Sequence, residues 1–200
     1  MSFMAFSFFF FMASSAFSAE VEKYVPASQD YLQRHVSFFD RDHDGIIYPW
    51  ETLEGMKAIG ISDLTAKTIA TLTHMSISPK TIEGNSTDPK LPIFVKNIAK
   101  AKFESDTGSW DAQGRFNATR FEENFCKHAH ARKDSLTWDE IMEMMKTNNV
   151  PKDFRGWIGS YNGWKLFYSL AKDKNGLLHK KTMKNLYDGS AFYQLEKGRR

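Results

Sequence analysis

Three aspartates alternate with other residues in "FFDRDHDGIIYPWETLEGM", reach a glycine, and are followed by a glutamate. Counted from Asp40 as the first position, Asp42 and Asp44 are the third and fifth, Gly45 the sixth, Ile46 the seventh, Ile47 the eighth and Glu51 the twelfth. A solvated run of charge has no need of that order, whereas a loop that curls around a hard cation does. This is the calcium-loop pattern of an EF-hand. The three aspartates supply carboxylate oxygens, Gly45 takes the sharp turn, and the Ile46 carbonyl adds a neutral ligand. Ile47 anchors the loop in the core, and Glu51 closes the shell with two oxygens from the next helix. An all-oxygen shell with several carboxylates favours calcium over magnesium.

The elements that must hold such a loop are legible on both sides. The incoming helix is expected over about Gln29 to Phe39, with Leu32, Val36 and Phe39 on one face. Pro49 sits near the first turn of the exiting helix, where its missing N–H costs nothing and its fixed φ starts the helix. That helix is expected to bury Trp50, Leu53 and Met56. A loop of this kind wants a second loop to pair with, and three later stretches echo it. In "AKDKNGLLHKKT", Asp173, Asn175, Gly176 and Leu178 are in register, but Ala171 and Thr182 stand where the first and last ligands belong. "SWDAQGRFNATR" keeps Asp111, Gly114 and Phe116 but ends in Arg120, and "AHARKDSLTWDE" keeps only Leu136 and Glu140. The last two read equally well as turns that start helices, with Asn117 as an N-cap and Thr137 to Glu140 as a capping box. None of the three is expected to hold calcium.

The whole chain has 200 residues, 42% apolar and 26% charged, as a globular domain with a sizeable core has. With 27 Lys and Arg against 24 Asp and Glu, the net charge of +3 is too weak and too mixed to argue for nucleic acid. Cys126 is the one cysteine, which excludes an intramolecular disulfide. On an apolar helix face it reads as core rather than catalyst. "MSFMAFSFFFFMASSAFSAE" reads as a signal peptide, residues 1–18, with Ala16 and Ser18 at cleavage positions, or as an N-terminal anchor. Residues 19–200 are expected to form a single soluble domain. On a secretory route, Asn85 and Asn117 lie in glycosylation triplets.

"ISDLTAKTIATLTHM" reads as a mildly amphipathic helix with Leu64, Thr68 and Leu72 on one face, too interrupted to span a membrane. A flexible connection is expected from about 75 to 92, marked by Pro79, Pro89, Pro92 and Gly84. Among the histidines, His43 points outward from the loop, and His74 and His179 have no partner in sequence. His128 and His130 flank a helix end, where a cation suits the dipole.

Taken together, "LQRHVSFFDRDHDGIIYPWET", "PIFVKNIAKAK", "SDTGSWDAQGRF", "LAKDKNGLL" and "YDGSAF" resemble the caleosins, the plant and fungal calcium-binding peroxygenases. The resemblance runs from about Tyr31 to Tyr193. It implies an all-α fold of EF-hand-like units with short loop–loop strand pairing. It also implies a haem whose oxidant is a fatty-acid or lipid hydroperoxide and whose substrate is an unsaturated lipid, with calcium needed for activity. The family's haem histidine in "LQxHVxFFD" is His35 here. Its second histidine is replaced by Phe103, and two further family histidines by Lys96 and Ala99. The family's long apolar stretch is short and polar here. The resemblance implies a lipid-droplet or endoplasmic-reticulum surface, while the N-terminal segment points to the secretory pathway and the outside of the cell. Two functions therefore stand: a calcium-dependent haem peroxygenase, or a non-catalytic calcium-binding protein on the same scaffold that has lost haem.

Overall fold

A computed structural model describes residues 23–84 and 88–199. The N-terminal segment and Asn85 lie outside the described residues. Helix α1 (Tyr31–Ser37) leads through the aspartate loop to strand β1 (Ile46–Ile47) and helix α2 (Pro49–Ala58). Then come α3 (Asp63–Thr81), β2 (Ile93–Phe94), a 3-10 helix (Val95–Ala101) and α4 (Ala118–His128). The second half carries β3 (Ser135–Leu136), α5 (Trp138–Thr147), α6 (Phe154–Ala171), β4 (Leu178–His179), α7 (Lys180–Tyr187) and α8 (Ser190–Lys197). The described residues are thus helix-rich with two small antiparallel sheets, β1–β2 and β3–β4.

The two sheets share one register. Ile47 faces Ile93 in the first, and Leu136 faces Leu178 in the second, all four buried. The flanking bonds match as well: the Val95 N–H donates to the Gly45 carbonyl at 3.0 Å, and the Lys180 N–H to the Asp134 carbonyl at 2.9 Å. The echoes at 129–140 and 171–182 therefore pair with each other. The aspartate loop pairs instead with the segment around Asp88 to Phe94, which carries no loop pattern in sequence. Leu91 there takes φ +53°, where the aspartate loop has Gly45 at φ +86°. Asp88 accepts the Lys90 N–H at 2.8 Å, as Asp42 accepts that of Asp44 at 3.2 Å. Among the described residues the echo at 109–120 pairs with no second loop: its bridge, Trp110 to Phe116, is internal. Its Gly114 carbonyl accepts the Leu32 N–H at 2.9 Å and so seats α1.

The helix starts follow the local chemistry. Asn117 accepts the Arg120 N–H, and Thr137 and Glu140 form the expected capping box. Four expectations are corrected. Trp50 is 55% exposed and stacks flat on Tyr48, while Thr52 and Gly55 take the buried face of α2. Leu64 and Leu72 are exposed, and α3 packs through the smaller Ala66, Ala70 and His74. Cys126 is exposed, because α4 buries Phe121, Asn124, Phe125 and His128 instead. Finally, α3 runs to Thr81 and absorbs the first part of the expected flexible connection, with Pro79 inside it. Its end is tied down by tertiary bonds. Thr81 accepts the Phe94 N–H through its hydroxyl and the Asn97 amide through its carbonyl. Among the described residues, no helix is long and apolar enough to cross a membrane.

Two apolar clusters form the core. One gathers Phe121, Phe125, Leu136, Ile141 and Tyr187, and the other Phe38, Phe39, Ile47, Val95 and Phe192. Trp110 and Leu186 touch both. They meet where the α7–α8 turn lies on α1, at Gly189, φ +77°. A Cβ there would lie 2.6 Å from the Arg34 carbonyl oxygen and 2.9 Å from the His35 Cα. Gly189→Ala should therefore lower unfolding free energy by about 3 kcal/mol, the sum of left-handed strain and overpacking. Gly84→Ala, at φ +78° with nothing within 4 Å, should cost only about 1 kcal/mol. Urea midpoints of the two variants check this, and equal losses would contradict the close turn–helix contact.

Candidate functional site

The aspartate loop brings Asp40, Asp42 and Asp44 together, with one carboxylate oxygen of each within 4.8 Å of the others. Backbone amides hold them. Asp40 accepts the Asp44 and Gly45 N–H groups at 3.1 and 3.0 Å, and Asp44 accepts that of Ile46 at 2.7 Å. Asp40 is buried and the other two are exposed. Burial pushes the Asp40 carboxyl above the usual range; the Gly45 N–H opposes this, and the charges of Asp44 and Asp42 add to it. Three crowded carboxylates, one desolvated, form an oxygen donor set suited to a divalent cation, so the residues present fit calcium. Ile46 opens β1, opposite Phe94.

Glu51 stands apart from that trio. Its carboxylate accepts the Arg41 N–H at 2.9 Å and the Tyr48 N–H at 2.8 Å. Glu140 holds the same pose at the same loop position, accepting from His130 and Ala131 at 2.7 Å and from Thr137 at 2.7 Å. The two carboxyls nevertheless shift in opposite directions. Burial pushes both up, but at Glu140 the hydrogen bonds from Thr137, Ala131 and His130 prevail and hold it below its usual range. At Glu51 burial prevails over the Tyr48 and Arg41 amides, with the charge of Asp42 adding to it. Glu140 is satisfied by its own loop. Glu51 carries unrelieved negative charge beside aspartates, and to close a metal shell it would exchange two amide bonds for the cation.

His35 projects from α1 into the junction between the clusters. Its Nδ1–H donates to the Leu186 carbonyl at 2.6 Å, and Nε2 has no hydrogen-bond partner among the described residues. Desolvation lowers the imidazole pKa against the opposing pull of the Leu186 carbonyl and the Asp188 charge, so the ring is neutral at pH 7. A neutral ring whose other nitrogen is held by a carbonyl is the arrangement of a metal-ligating histidine, so the donor chemistry of His35 fits iron. Trp110 and Phe192 meet the ring edge-on, each with centroids 5.1 Å away. Phe103 packs instead against Gly159 on α6 and under the Lys80 ammonium.

Three more histidines have structural partners. His128 is fully buried and bonds the Asn124 carbonyl and the Thr147 hydroxyl, while exposed His130 faces Glu143. His179 pairs with Asp173 at 3.0 Å. The positioning of His35 by Leu186, Trp110 and Phe192 escapes sequence reasoning, because those partners lie far along the chain. Only the glycine of "YDGSAF" marks the contact.

Residues 27–196 match the family model described as caleosin related protein, and the chain belongs to the caleosin family. Among curated relatives, a protein of Arabidopsis thaliana named "Probable peroxygenase 4" is 48% identical over 88% of this chain and 91% of its own length. One from Lilium longiflorum named "Peroxygenase" is 42% identical over 84% of this chain and 70% of its own. A second Arabidopsis thaliana relative, named "Probable inactive peroxygenase-like protein", is 40% identical over 73% and 70% of the two chains. No solved structure matches significantly.

Titration calorimetry should show calcium at a single site per chain, weakened about a hundredfold or more in Glu51→Gln, which removes a bidentate closing ligand. Affinity should fall as pH drops, and the fall should begin above the ordinary carboxylate range. Asp40 and Glu51 both hold protons more tightly than free carboxyls, and a proton competes with the cation. Two or more tight sites, or a pH-independent affinity down to pH 4, would contradict the assignment.

Proposed function

We propose that this chain is a calcium-dependent haem peroxygenase that oxygenates unsaturated fatty acids with a lipid hydroperoxide as oxidant. The observation that carries the reading is the His35 imidazole, neutral, held through Nδ1 by Leu186 and with Nε2 unpartnered among the described residues. The names of the relatives from Arabidopsis thaliana and Lilium longiflorum support it. Calcium would be held by Asp40, Asp42, Asp44, the Ile46 carbonyl and Glu51, and iron by His35 Nε2. The chemistry that haem supplies when bound is transfer of one oxygen atom from the hydroperoxide to the unsaturated chain.

The protein's own part is positioning. The Leu186 carbonyl fixes the ring's tautomer and raises its basicity as a ligand. Trp110 and Phe192, each edge-on to the ring, hold its plane. With Phe103 at the family's second histidine, His35 is the one residue of that pair that would hold the haem iron. The acyl substrate would be met at a lipid-droplet or endoplasmic-reticulum surface, reached through the N-terminal segment.

A second reading has a specific observation behind it. Phe103 offers no lone pair, and one relative is named as inactive. On that reading the chain is a non-catalytic calcium-binding protein. The absorption spectrum separates the two. Haem added to the full-length protein should give a Soret band that weakens in His35→Ala, and again when calcium is chelated in Asp40→Ala. A band untouched by His35→Ala would refute the ligand. No band at any haem concentration would leave the calcium-binding reading.

A further inference from the structure

His74 has no role in the reading above, yet it is among the most enclosed polar side chains in the protein, with no exposed surface. It stands on the inner face of α3 and reaches two elements that flank the aspartate loop. Its Nδ1 lies 2.7 Å from the Leu91 carbonyl, and its Nε2 lies 2.8 Å from the Thr52 hydroxyl. A carbonyl only accepts, so Nδ1 carries the proton and Nε2 accepts from Thr52. Burial lowers the pKa of the ring, and so favours the neutral form that this pattern needs.

Both contacts bear on the metal loop. Thr52 follows Glu51 on α2, so its hydroxyl fixes the first turn of the helix that presents the closing glutamate. Leu91 holds φ +53°, a conformation that a leucine adopts only under constraint, and lies two residues before Ile93, the partner of Ile47. A single imidazole thus joins the exit of the aspartate loop to the strained turn of its partner strand.

We propose that His74 is a positioning residue for calcium, a hydrogen-bonded strut running from Thr52 to Leu91 that fixes where Glu51 stands relative to the paired strands. The inference rests on the aspartate loop being a calcium site. With the strut cut, Glu51 must be ordered by the ion itself, and affinity falls while the ligands are untouched.

Calcium titration of the full-length protein tests it with four variants. Thr52→Val keeps shape and removes the hydroxyl. His74→Asn keeps a donor in the place of Nδ1 and removes the Nε2 acceptor. Each should weaken calcium about tenfold, the effect of one buried hydrogen bond left unmade. The double variant should also lose about tenfold rather than a hundredfold, because both changes cut the same bond. Thr52→Ser, which keeps the hydroxyl, should bind as the wild type does. Urea midpoints with and without calcium supply the second readout. A bond that merely stabilises the fold lowers both midpoints alike, whereas the strut narrows the gap between them. Wild-type affinity in both single variants, or losses that multiply in the double variant, would overturn the proposal. A wild-type protein that binds no calcium, with Glu51→Gln indistinguishable from it, would instead overturn the calcium reading itself and the proposal with it.

Discussion

The bond from His35 Nδ1 to the Leu186 carbonyl joins the two halves of the molecule, and the geometry of the site hangs on it. His35 belongs to α1, whose buried Leu32 packs in one apolar cluster, and Leu186 to α7, which packs in the other. The turn after α7 can lie this close only because residue 189 has no side chain and a left-handed backbone. From that contact follow the tautomer of the ring and the edge-on seats of Trp110 and Phe192, while burial keeps the ring neutral against the pull of the carbonyl. Trp110 also donates its indole N–H to the Tyr187 carbonyl at 3.0 Å, so one aromatic side chain braces the ring and the backbone that holds it.

The paired loops give the complementary lesson. One architecture occurs twice, with the same register and the same pose for the twelfth-position glutamate, yet the electrostatics differ. The loop ending in Glu140 has Ala129, Ala131 and Lys133 at the aspartate positions and satisfies its carboxylate with amides and a hydroxyl. The loop ending in Glu51 carries three carboxylates crowded within 4.8 Å of one another, and burial, with the charges of Asp44 and Asp42 adding to it, raises the proton affinity of Asp40. A loop of the first kind is finished as it stands and serves the fold. A loop of the second kind stores repulsion that a divalent cation relieves, so its negative charge is a reason to bind metal as well as a means of doing so.

The aspartate loop was legible because its information is local: spacing, one glycine, one proline and one glutamate fall within a dozen residues. The caps at Asn117 and Thr137 were legible for the same reason. What sequence hid was pairing. Nothing in "STDPKLPIF" marks Leu91 as the turn of a partner loop, since the glycine that usually signals such a turn is absent. The strain at Leu91 is held by a histidine seventeen residues earlier, at 2.7 Å. The burial of α2 and α3 was hidden for a related reason. On α2, Gly55 lies against Phe38 and Phe39 while Trp50 turns outward, and α3 buries Ala66 and Ala70 while Leu64 and Leu72 face outward.

The same packing explains why calcium and a ligand on His35 would not act independently on the proposed reading. Asp40 follows α1 after Phe38 and Phe39, and its N–H still donates to the Ser37 carbonyl at 3.3 Å. Phe192 touches His35, Phe38 and Phe39, with ring centroids between 5.1 and 5.4 Å. An ion that fixes Asp40 therefore fixes the two phenylalanines behind it, and through Phe192 the orientation of the imidazole. Coupling between two binding sites is reciprocal, so whatever order calcium lends the ring, a ligand on the ring returns to the calcium loop by the same factor. The route needs no large motion. It needs only that one turn of helix and one phenylalanine are too tightly packed to respond separately.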